Sequence, residues 1–212
     1  MSTKVCSYVL STFCGVHQAQ RDNLLSEVRF CPSTAGIESV DFRPYMIESA
    51  YDYYMVSTTS PHQRMGIQTV MCALSIEIIL KSFHATVTSN HGKLNETYEF
   101  NKRDVLPKKS NAHDLIVLYE ALPENIQSYL FDSSDLKVLV TNKDLFTQSR
   151  YSYEQGANSI HNDEIVKLAA CLVCKMVFLY RELGCKDPFI ELFDIENLYF
   201  SRVQSFLWCS VP

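Results

Sequence analysis

The chain has 212 residues, of which 47% are hydrophobic and 20% charged, so it can fill one core and lacks a disordered composition. Its net charge of −5 excludes a global basic field, and nucleic acid would have to bind a local patch. Six glycines and seven prolines are few for a strand-and-turn protein and point to an all-α fold.

In chain order, residues 1–40 read as an N-terminal extension, with a short helix in HQAQRDNLLSEVRF closed by Cys31-Pro32-Ser33. The first twenty residues make a poor secretory signal. The most apolar run, VMCALSIEIIL, contains Glu77 and is too short to span a bilayer, so a cytoplasmic protein without membrane contact is expected. In that setting the eight cysteines read as free thiols, with Cys72, Cys171 and Cys174 buried in helices.

Pro44 opens a helix whose Met46, Ile47, Ala50, Tyr53 and Tyr54 recur at helical spacing. Residues 64–88 carry two apolar stripes. One is Ile67, Val70, Met71, Leu74 and Ile78; the other is Ile76, Leu80, Phe83 and Val87. They predict a helix buried on most sides. The polar stretch from Thr88 to Ser110 reads as a loop or lid. Ser110 or Asn111 should cap a helix over AHDLIVLYEAL, and Pro123 should end it and start the next. LKVLV, after Ser133-Ser134-Asp135, is open to helix or strand.

A long helix is expected from Asn162 to Leu183, with Ile165, Leu168, Ala169, Leu172, Met176, Leu179 and Leu183 as its stripe and Gly184 as its stop. Asp187-Pro188 opens a last helix, FIELFDIENLYF, inside a C-terminal segment, 186–212. Residues 196–200 of that segment match five residues of a protease-tag site, so part of the segment could be an added tail.

Three groups of residues could carry chemistry. His113 and Asp114 stand at a helix start, where Asp114 suits the dipole and His113 could turn inward as a hydrogen-bonding plug. Phe146 and then Arg150-Tyr151-Ser152-Tyr153-Glu154 follow, placing a guanidinium between two rings and a carboxylate. Glu77 lies in apolar surroundings, where a lone buried carboxylate is costly. It pairs either with Lys81 facing solvent or with Arg150 across helices. Lys102, Arg103, Lys108 and Lys109, preceded by Tyr98 and Phe100, form a basic stretch that either faces water or holds single-stranded RNA through phosphates and stacking. No metal site and no cofactor motif is read. Cys171-x-x-Cys174 lacks a second pair, and His84 and His91 read as surface residues.

Glu77-x-x-x-Lys81, His113-Asp114-Leu115 and Arg150-Tyr-x-Tyr-Glu154, ahead of a long apolar helix, resemble the HEPN superfamily of small helical proteins over roughly residues 45–185. The resemblance implies an antiparallel up-and-down bundle of four to five core helices over 41–185, forming a homodimer through the face near the arginine. It further implies an RNA-directed protein of prokaryotic defence or toxin–antitoxin type. Active members are metal-independent endoribonucleases in which an arginine and a histidine four to six residues later meet across the dimer. There the histidine moves protons and the arginine stabilises the developing phosphorane charge. Here Gln155, Gly156 and Ala157 occupy the histidine positions and the first histidine is His161. Either Arg150 and His161 meet through an unusual loop, or the chain is a degenerate RNA-binding form. The alternative is a non-catalytic dimerising module that docks a cognate protein partner through aromatic surface.

Overall fold

The computed structural model describes residues 29–59, 65–93, 95–143, 145 and 163–203. The chain divides between Cys31 and Pro32, and the architecture below is that of the second unit. It is predominantly helical, as composition and periodicity predicted.

Helix α1 spans Pro44–Thr59 and α2 spans Met65–Ser82. Proline fits the first helical position because its missing N–H would have no intrahelical partner. Three hydrogen bonds set the two helices antiparallel. Arg43 Nε donates to the Ala85 carbonyl at 2.8 Å, Ser75 Oγ to the Ala50 carbonyl at 2.7 Å, and Ser57 Oγ meets Cys72 Sγ at 3.2 Å. Small Cys72, Ala73 and Ser75 permit the close approach, and these residues, with Ile76, Ile79 and Leu80, are the buried side of α2. The stripe through Met71, Leu74 and Ile78 is only half-buried, and Ile67 is 49% exposed. The helix is therefore less enclosed than its two stripes suggested. It also ends at Ser82, leaving Val87 to a strand.

Helix α7, Asp163–Glu182, is the centre of the core. Every member of its expected stripe except Leu183 is buried, and so are Ala170, Val173, Cys174 and Val177 on its other sides. Tyr180 Oη accepts from the Arg43 N–H at 3.1 Å, which sets the C-terminal end of α7 against the start of α1. Gly184, at φ +84°, closes the helix. Its N–H reaches the Arg181 carbonyl, and the Cys185 N–H reaches that of Tyr180, a paired closure needing a left-handed residue.

The stretch read as a loop or lid has structure of its own. Strands β1 (Thr86–Ser89) and β2 (Thr97–Glu99) pair antiparallel with Val87 opposite Tyr98. A short helix, α3, covers Lys102–Val105. The β-branched threonines suit strands, and Asn90 and Gly92 take the positive φ values of the turn.

The next helix, α4, is only Leu115–Glu120. Its cap is Asp114, not Ser110 or Asn111, because Asp114 Oδ1 accepts from the Ile116 and Val117 N–H groups. Asn111 is spent on the preceding turn, accepting from the His113 N–H. Helix α5 (Glu124–Leu130) follows Pro123 as expected. LKVLV lies in α6, Ser133–Asn142, where Asp132 and Asp135 form a reciprocal capping box that decides for helix.

The final segment breaks in two: α8 is Pro188–Leu192 and α9 is Ile195–Leu198, continued by a π-helical turn, Tyr199–Val203. Phe193 is extended, and Asp194 caps the second piece. Arg181 donates to the carbonyls of Ile190 and Phe193, tying the break to α7. Ile190, Ile195 and Leu198 are buried, so Leu198, inside the stretch that resembles a tag site, packs within the described fold. No described helix is long and apolar enough to cross a membrane.

Candidate functional site

Glu77 sits on the buried side of α2 and is 4% exposed. Its Oε1 accepts from Lys81 Nζ at 2.6 Å and meets His113 Nδ1 at 3.0 Å. The Lys81 pair foreseen in the sequence exists, with Glu77 buried and Lys81 half-buried instead of facing bulk water. The cross-element partner among the described residues is His113, which turns inward in the manner of a plug while its side chain stays 45% exposed. A carboxylate on Nδ1 fixes the orientation of the imidazole.

Lys81 also stands over the Phe100 ring, 5.2 Å from its centroid. The segment between Phe100 and His113 is therefore pinned at both ends to one acid–lysine pair on α2. It carries Lys102, Arg103, Lys108 and Lys109, all exposed and none in an ion pair with a described residue. Lys102 and Arg103 lie in α3, capped by Asn101, whose side chain accepts from the Arg103 N–H at 3.2 Å. Lys109 holds φ +68°, an uncommon setting for a residue with a side chain. Asp114 serves α4 as its cap.

A second buried carboxylate, Glu96, organises the hairpin. It accepts from the Gly92 N–H and the Tyr98 hydroxyl, both at 2.6 Å. Burial works to raise its pKa, but those two donors and nearby His91 and Arg43 outweigh it and hold the carboxyl below its ordinary value. Sequence reading passed over Glu96, and its position four residues after Gly92 was the one available signal. His84 is half-buried, not a surface residue, with Nε2 3.1 Å from the Ala121 carbonyl. Burial lowers its pKa against that hydrogen bond. Cys72, Cys171 and Cys174 are free thiols, Cys72 and Cys174 fully buried; burial pushes Cys72 and Cys171 up to about 11, a setting that suppresses thiolate chemistry. No group of three or more metal-ligating side chains occurs among the described residues.

Phe146, Arg150, Tyr151, Tyr153, Glu154 and His161 lie outside the described residues, and with them the Glu77–Arg150 and Arg150–His161 pairings. The structure thus brings together Glu77, Lys81 and His113, with the basic segment linked to them through Phe100. Phe100 joined the basic group in the sequence as a stacking residue, and its contact with Lys81 could not be read there. Compared with protein-family models, curated proteins and solved structures, the chain matches none.

Proposed function

We propose that the chain is an RNA-directed helical protein of HEPN type, acting as a homodimer in the cytoplasm of a prokaryotic defence or toxin–antitoxin system. It binds RNA without cutting it, because no histidine falls at the interval after Arg150 that the nuclease pattern requires. The observation that supports this reading is the basic segment 102–109, exposed and anchored at both ends on the Glu77–Lys81 pair beside a half-exposed histidine. Phosphates neutralise such cations and release counterions, so affinity falls with salt in proportion to the contacts made.

The test is a titration of single-stranded RNA with wild-type protein and with Lys102, Arg103, Lys108 and Lys109 all replaced by Gln. Wild type should bind with a steep salt dependence, and the fourfold variant should lose at least about tenfold in affinity and flatten that slope. Equal binding by both proteins would reject the proposal. Labelled RNA cut by wild type in the presence of chelator, and spared by Arg150→Ala or His161→Ala, would establish the endoribonuclease form in place of the binding form.

A second reading, the protein-interaction module, is favoured by Tyr45, Tyr53 and Val56, exposed along one side of α1. A dimer that binds no RNA and dissociates on Tyr53→Glu would favour it.

A further inference from the structure

Glu77 presents one oxygen to two nitrogens: Lys81 Nζ at 2.6 Å and His113 Nδ1 at 3.0 Å both meet Oε1. The carboxylate is buried, the lysine side chain 17% exposed and the imidazole 45%, so the imidazole is the member of the group open to water. Lys81 by itself neutralises the carboxylate. Facing an ionised carboxylate, Nδ1 carries a proton, and a neutral His113 keeps its lone pair at Nε2, on the side of the ring away from Glu77. A second proton adds there, and the group of three then passes from no net charge to a positive charge at its open end.

The charged neighbours decide what that charge can do. From α2, His113 meets Glu77 with Lys81 behind it; along its own segment stand exposed Lys108 and Lys109 on one side and Asp114 on the other. Asp114 is occupied with the Ile116 and Val117 N–H groups. Two turns fold the chain between Lys109 and His113, with the Ser110 N–H on the Pro107 carbonyl and the Asp114 N–H on that of Asn111. Four residues of chain reach at most about 14 Å when fully extended, and this stretch is not extended. A proton on His113 therefore repels the lysines beside it, and an anion bound among them offsets that repulsion.

We propose that RNA binding by the 102–109 segment is proton-linked through His113: a backbone phosphate bound at Lys108 and Lys109 also contacts the imidazole, and one proton passes from solvent to Nε2. This rests on the RNA-directed reading above and adds to it a contact residue and a direction of pH response. Because the bound form holds the extra proton, affinity rises as pH falls through the range in which histidine gains charge, about 8 to 5.

Fluorescence anisotropy of a labelled single-stranded RNA with the full chain, at constant salt and at about pH 6 and about pH 8, tests the link. Wild type and His91→Gln should bind about tenfold more tightly at the lower pH, whereas His113→Gln should lose most of that gain. His91 is an exposed histidine of the hairpin, and its replacement controls for titration away from the segment. Calorimetry of wild type at about pH 7, in two buffers of different ionisation enthalpy, should show net proton uptake on binding, a readout that needs no variant to fold. Salt-dependent binding of equal strength at both pH values, an equal gain in folded His113→Gln, or binding without proton uptake would overturn the link and leave the RNA-directed reading standing. Wild type that binds RNA at neither pH would overturn both.

Discussion

Helix α7 and the segment from Phe83 to Asp114 are held by different forces. The helix is buried around most of its circumference, and its stability is apolar area removed from water. The segment's described residues form two short strands, one four-residue helix and turns, with few buried side chains. It is secured by polar contacts to two enclosed carboxylates, Glu77 and Glu96, and to Lys81. Apolar burial is non-directional and tolerant, whereas a buried carboxylate demands donors at particular atoms. The region held by such bonds is also the one that exposes the cations and the histidine, as functional segments on a rigid scaffold commonly do.

Three substitutions would sharpen or break that contrast. The largest effect should come from α7: Leu172→Ala removes a fully buried side chain and should cost about 3 kcal/mol by chemical denaturation. A loss near zero would mean that α7 is not the centre of the core. Next, Glu77→Ala strands Lys81 and His113 beside apolar neighbours and should cost about 2 kcal/mol. Removal of the anchor should also speed amide exchange in residues 100–113 before it affects α7, and uniform exchange throughout would remove the distinction between the two regions.

The smallest effect is pH-dependent. The folded pKa of Glu96 lies below its unfolded value, so its contribution is complete above the unfolded pKa and is lost as pH falls through the folded one. Glu96→Gln should therefore lower stability by about 1 kcal/mol near neutral pH, with the difference vanishing in acid. A deficit that persists unchanged in acid would show that the carboxylate charge does not hold the hairpin.

Legibility in the sequence followed the same division. Pro44, Pro123, Asp187-Pro188 and Gly184 marked true boundaries, because capping and φ restriction act within one turn of chain. The stripe of α7 was readable for the same local reason. The hairpin was missed because its threonines were outweighed by polar neighbours and by Asn90 and Gly92, which in fact form its turn. Ser110 and Asn111 were good cap candidates on type alone, and Asp114 prevailed through its contacts with Ile116 and Val117. Of the candidate site, Glu77, Lys81 and His113 were each visible as residues, but the bond between Glu77 and His113 joins positions 36 apart.

By itself the sequence determined a helical protein, the positions of its long helices with the C-terminal end of α7, and the cost of placing a carboxylate at position 77. These follow from periodicity, capping and burial, which neighbouring residues settle among themselves. Tertiary structure alone decided which partner reaches Glu77 and which stripe of α2 stays half-open. Each depends on how separate elements approach, and that is fixed by the fit of whole surfaces.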